Sequence, residues 1–142
     1  MIRARFCRLP DEESKLEETM AMTGKISGVR TVGVPVTDQD AALEFYVGTL
    51  GFEKRMDADL GGGRRWIEVA PPGAAITIAL VTGKPTGIET GIRFTSPDAA
   101  TLHESMQASG VQADEVLRWP GVPPMFAFRD QDGNGMEIVE QA

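Results

Sequence analysis

The chain has 142 residues, 42% hydrophobic and 25% charged, with a formal net charge of −7. Such a chain is long enough for one domain with its own core. An acidic balance argues against a duplex-binding surface, which needs clustered Lys and Arg, and no stretch approaches the roughly 20 apolar residues of a membrane span. Neither a nucleic-acid nor a membrane partner is expected, and the acidity reads as a means of keeping the protein soluble, with attraction of a cationic ligand as the alternative.

Residues 1–25 read as an N-terminal extension, expected to be flexible. Residues 1–10 carry Arg3, Arg5 and Arg8 but lack the apolar h-region of a signal peptide, so a cytoplasmic location is expected. Cys7 is the single cysteine, which forbids an intrachain disulfide and suits a reducing compartment. Residues 11–18 are strongly charged, with Leu16 their one apolar side chain, so a helix there has little surface to bury. Met20 and Met22 are alternative starts between which the sequence does not choose.

Beyond Gly28 the pattern becomes regular. Val32, Val34 and Val36 alternate with Thr31, Gly33 and Pro35, the period of a strand, with Pro35 marking an edge or an end. Asp38 is a helix N-cap or turn residue, and Ala41, Ala42, Phe45, Val47 and Leu50 follow within a helix closed by Gly51. Strands are predicted over residues 52–57, 65–70 and 75–81, separated by turns at Gly61-Gly62-Gly63 and Pro71-Pro72-Gly73. The order then recurs. Residues 91–95 form a strand and 98–108 a helix ending near Gly110. Strands follow over 111–119, 125–129 and 136–140, with a loop at 120–124 and a turn at 130–134.

An offset of 60 brings Asp38 onto Asp98, Gly73 onto Gly133, Val32 and Val34 onto Ile92 and Phe94, and Ile76 and Ile78 onto Met136 and Ile138. Such a repeat is architecture before anything else. The reading is an α+β fold of two βαβββ modules, residues 26–84 and 85–142, within one domain spanning 26–142, and a cavity between curled sheets is a natural ligand site.

The residues that carry this pattern resemble a known family. Val32-Gly33-Val34-Pro35-Val36-Thr37-Asp38, Ala42, Phe45-Tyr46 and Leu50-Gly51-Phe52 are similar to the opening module of the glyoxalase/bleomycin-resistance/dioxygenase superfamily, the vicinal oxygen chelate proteins. The stretch from Arg65 to Gly73 resembles the middle of that module. Phe128-Arg129-Asp130-Gln131-Asp132-Gly133-Asn134, followed by Glu137, resembles its closing stretch. The resemblance covers about residues 26–142. It implies modules paired into an incomplete barrel, frequent dimers, and in the enzymes a divalent metal held by His, Gln or Glu on the first and last strand of each module, acting as a Lewis acid. Here those positions fall on Thr31, on Thr77 or Ala79, on Gly91 and on Glu137. One carboxylate does not make a catalytic metal site, which needs about three protein ligands. His103, the only histidine, falls in the second helix and reads as a packing residue. No cofactor is expected and a divalent metal is not.

Strand phase sends Val32, Val34, Ile78, Ile92, Phe94 and Ile138 toward the helices, and Thr31, Gly33, Thr77, Ala79, Gly91, Arg93, Thr95 and Glu137 toward the cavity. In that phase one reading has Arg93 and Glu137 meeting inside, as an ion pair or a clamp for a polar ligand; the other has the pair merely closing the cavity, or Arg93 reaching solvent. Glu137 is a weak candidate for a general base. Trp66, Trp119, Phe126 and Met125 are candidates to line the pocket, or else core or interface residues. Tyr46 reads as packing. The three glycines before Arg64-Arg65 lack the spacing and following helix of a phosphate loop and read as a hairpin. The leading expectation is a metal-independent small-molecule-binding protein, a homodimer, of the kind that sequesters a drug or metabolite. Alternatives are a lyase, isomerase or dioxygenase-like enzyme using Glu137 or an atypical metal site, and a domain with a vestigial cavity.

Overall fold

The computed structural model describes residues 23–142; most of the N-terminal extension, with Cys7, Met20 and Met22, lies outside the described residues. The chain forms β1 (Thr31–Pro35), α1 (Gln39–Leu43) continuing as a π-helical segment (Glu44–Thr49), β2 (Glu53–Gly61), β3 (Arg64–Ala70) and β4 (Thr77–Val81). The second half supplies β5 (Glu89–Ser96), α2 (Ala99–Ala108), β6 (Met125–Arg129) and β7 (Gly135–Glu140). Two small sheets result, ordered β1-β4-β3-β2 and β5-β7-β6, with no closed barrel. In each, the first and last strands pair in parallel and the others antiparallel. Among the described residues no helix is long and apolar enough to cross a membrane.

Local chemistry explains the repeated helix starts. Asp38 and Asp98 are both extended and both cap, Asp38 accepting from the N–H groups of Asp40 and Ala41, and Asp98 from that of Thr101. Each thereby satisfies donors that the first turn leaves open. Both helices end at a glycine with positive φ, Gly51 and Gly110. The first takes one residue more to get there, and its last turns widen into the π form. An inserted residue inside a helix produces such a bulge: the Phe52 N–H reaches back to the Tyr46 carbonyl where its counterpart Val111 reaches Met106, both at 2.9 Å.

Two expectations need correction. The strand predicted over 111–119 is broken into two bridges, Ala113 to Phe128 and Leu117 to Met125. That edge spends four steps against three on β6, so one residue is extra and the ladder bulges. The bulge leaves the Asp114 carbonyl free to accept from His103 Nε2 at 2.8 Å. The uniform offset of 60 also fails within β5. Thr31 pairs with Thr77 at a separation of 46 residues, whereas Arg93 pairs with Glu137 at 44. The register shifts around Gly91, whose φ of 75° a side chain would resist. The position matching Thr31 is therefore Arg93 rather than Gly91.

The core runs between the sheets' helix-facing sides, with Val34, Ile67, Val69 and Leu80 from one, Phe126, Phe128, Met136 and Ile138 from the other, and Tyr46 and Met106 from the helices. Phe52, Phe94 and Phe128 stack in sequence across the module boundary, with centroids 5.5 and 6.4 Å apart. Polar ties reinforce one junction. The Tyr46 hydroxyl donates to Asp130 at 2.7 Å, Asn134 Nδ2 donates to the Pro35 carbonyl at 2.7 Å, and Thr37 donates to Asp132 through both N–H and hydroxyl.

Candidate functional site

On the side of each sheet away from the helices the side chains form two separate groups. In the first sheet, period two places Arg64, Trp66, Glu68 and Ala70 of β3 on one face, with Thr31 of β1 and Thr77 of β4. Glu68 is only 2% exposed, the sole carboxylate of this face so buried. It accepts from Trp66 Nε1 at 2.6 Å, from the Thr77 hydroxyl at 2.9 Å and from Arg30 Nη1 at 3.2 Å. A hydroxyl has one proton. Since Thr77 gives its proton to Glu68, the 2.7 Å contact between the two threonine hydroxyls is a donation from Thr31 to Thr77. The hydrogen bond from Trp66 is the largest influence on Glu68 and lowers its pKa; burial opposes it, and the Thr77 and Arg30 donors add to the lowering. The group is thus an ionised, fully braced carboxylate beside an indole that remains 36% exposed, flanked by exposed Met56 and Leu60.

In the second sheet Arg93 Nε donates to Glu137 at 3.0 Å and Arg93 Nη2 lies 3.6 Å from Met125 Sδ. Both members of the ion pair are about half exposed. Glu137 and Met125 border a hollow of about 260 Å³ shared with Asp114, Glu115, Leu117, Phe126 and Ala127. Trp119 stands exposed in the following loop, near exposed Val122. No hydrogen bond or ion pair among the described residues joins this group to the first.

The seven residues singled out from sequence thus separate. Thr31, Thr77 and Trp66 meet around Glu68, and Arg93 meets Glu137. Trp119 is 64% exposed, and no side-chain hydrogen bond among the described residues ties it to either group. Phe126 is 1% exposed and meets the His103 ring edge-on at 5.0 Å on the helix-facing side, and it also borders the hollow beside Glu137 and Met125. Glu68 is the residue that sequence reasoning missed. Its alternation with Trp66 was visible, but its partners Thr77 and Arg30 are brought to it only by strand pairing. The glycine turn behaves as the expected hairpin, with positive φ at Gly61, Gly62 and Gly63, and Arg65 is engaged by Asp57 and Asp40 rather than free for a phosphate.

The four positions where the family enzymes hold a metal carry Thr31, Thr77, Arg93 and Glu137. Two are hydroxyls bonded to each other and two are an ion pair, so the donors do not fit a divalent cation, which prefers imidazole or carboxylate ligands. Among the described residues no group of three or more His, Cys, Asp or Glu side chains is placed to hold a metal ion.

A family model described as Glyoxalase/Bleomycin resistance protein/Dioxygenase superfamily matches residues 28–138. The uncharacterized protein YetH of Bacillus subtilis (strain 168) is 30% identical over 123 residues, 81% of this chain and 99% of that one. Among solved structures, a member of the same superfamily from Sphaerobacter thermophilus DSM 20745 superposes with a TM-score of 0.75 at 35% identity, covering 82% of this chain and 98% of the other. TnmS3, an antibiotic binding protein from Streptomyces sp. CB03234, superposes with a TM-score of 0.74 at 32% identity, covering 84% of this chain and all of its own, 100%.

Proposed function

The chain belongs to the glyoxalase/bleomycin resistance/dioxygenase superfamily, and from that premise we propose that it binds a small organic molecule on its open sheet faces without a metal and without catalysing a reaction. The observation that carries this is the braced carboxylate of Glu68 beside the half-open indole of Trp66. A fixed acceptor next to an aromatic plate suits a flat ligand that carries hydrogen-bond donors or a positive charge. The similarity to an antibiotic binding protein supports the same class of ligand.

Glu137 is an ill-equipped base, because its charge is already met by Arg93. The proposal includes a homodimer. Met56 and Leu60 on the first sheet, and Leu117, Trp119 and Val122 beside the second, are all more than a third exposed, and exposed large apolar side chains call for a covering partner. The cytoplasm is the proposed location.

Titration of metal-stripped protein with bleomycin and with planar aromatic antibiotics, followed by tryptophan fluorescence, tests the reading. At least one compound is expected to quench the emission saturably, with Trp66→Phe removing most of the change and added divalent metal leaving the affinity the same. Quenching that appears only after metal is added, or that survives unchanged in Trp66→Phe and Glu68→Gln alike, would overturn it.

A further inference from the structure

The two junctions between helix and opposite module are built on equivalent positions but are closed by different chemistry. Gly73 and Gly133, with φ of 78° and 79°, mark equivalent turns, and Asp38 and Asp98 mark equivalent caps. At the first junction Tyr46 bonds Asp130, Thr37 bonds Asp132, and Asn134 reaches across to Pro35. At the second, Met106 stands in its helix where Tyr46 stands in the first and Pro97 where Thr37 does, and the closing turn carries Pro72 and Ala74 in place of Asp132 and Asn134. Every polar tie is gone, and the tyrosine ring with them. What remains is a cleft of about 240 Å³ over Phe52, Phe94, Leu102, Met106, Phe128 and Ile138, with Pro71, Pro72 and Pro97 also on its wall. Among the described residues lining it none is charged. Pro71, Pro72 and Phe94 also border a wider groove that runs toward Arg93, which gives the cleft an approach.

We infer that this cleft is a second binding site, distinct from the open sheet faces, for an uncharged aromatic molecule of one or two rings. The occupant's chemistry is read from the wall, where the rings of Phe52, Phe94 and Phe128 follow one another with Leu102, Met106 and Ile138 beside them. The polar groups of the wall are the hydroxyls of Thr49, Thr95, Ser96, Ser105 and Ser109, which suit a single N–H or O–H at the edge of such a ring. The volume is ample, since an engineered apolar cavity of roughly 150 Å³ already takes benzene. A charged ligand is disfavoured, because no side chain of opposite charge stands in the wall to offset its desolvation.

The experiment uses the full chain with methionine methyl groups labelled, titrated with indole and followed by NMR. The Met106 methyl resonance is expected to move saturably under the ring current, while Met56 and Met125, on the open faces, stay still. Leu102→Trp, which fills the cleft with an indole of its own, is expected to weaken indole binding about tenfold or more, whereas Trp66→Phe leaves it unchanged. Met106 remaining still up to the solubility limit of indole, movement at Met56 or Met125 instead, or unaltered binding in a folded Leu102→Trp protein would each overturn the inference. Should that variant fail to fold, the wild-type resonances decide alone.

Discussion

Replacing Tyr46 by Phe removes one oxygen from the interior and leaves every ring contact in place. The lost interaction is a 2.7 Å hydrogen bond to a carboxylate in a fully buried setting, a class worth roughly 1.5–3 kcal/mol. Asp130 retains three donors, the N–H groups of Asp132 and Asn134 and the Asn134 side-chain amide, so the carboxylate is not orphaned. A loss of about 2 kcal/mol is expected by urea denaturation, or about 6 °C in Tm for a chain of this size. The same bond sets an alkaline limit. Burial, and next the charge of Asp130, push the Tyr46 pKa far above its usual value. Above about pH 10 the unfolded chain releases the phenolic proton and the folded chain keeps it, so the unfolded state binds fewer protons and stability falls by about 1.4 kcal/mol per pH unit. Tyr46→Phe lacks this fall, and the difference between the two curves isolates it from lysine titration. Because Tyr46 is the only tyrosine, tyrosinate absorbance reads it alone and should appear only as the protein unfolds. A tyrosinate band titrating near pH ~10 in the folded protein, or a loss in Tyr46→Phe below about 0.5 kcal/mol, would refute the reasoning.

Glu68→Ala leaves the Trp66 and Thr77 donors without their acceptor and is expected to cost about 2 kcal/mol. With its pKa lowered in the fold, Glu68 contributes stability that is present above its unfolded value of about 4.3 and lost as pH falls through the folded one; urea denaturation between about pH 3 and 6 should therefore show a shallower acid loss in Glu68→Gln than in the wild type. Asp98→Ala is expected to cost about 1 kcal/mol by removing the α2 cap, and Asp98→Asn to restore most of it, in the same assay.

Much of the fold is legible in the chain because its signals are local. The caps at Asp38 and Asp98, the glycines that end the helices and the alternation of Val32 and Val34 each act within a few residues, and the caps recur at a spacing of 60 and the closing glycines at 59. What the chain hides is what depends on distant pairing. The shift at Gly91, which exchanges Gly91 for Arg93 opposite Glu137, leaves the alternating pattern on either side intact. The bulge opposite β6 is likewise invisible, since residues 111–119 read as a strand whether or not one residue is extra. Glu68 could have been found by laying the alternation of β3 against that of β4, which puts Trp66, Glu68 and Thr77 on one face. The bond between Tyr46 and Asp130 crosses 84 residues, and only the folded chain shows that the closing turn anchors the first helix.

On the proposed ligand-binding face, the positions where the resemblance implies a metal carry side chains that bond one another, Thr31 with Thr77 and Arg93 with Glu137. Equilibrium dialysis of the full chain, stripped of metal, against Mn²⁺, Ni²⁺ and Zn²⁺ measures this directly. Less than stoichiometric retention of each ion, with no rise in Tm, is the predicted result. One ion held tightly per chain and released by Glu137→Gln would contradict it.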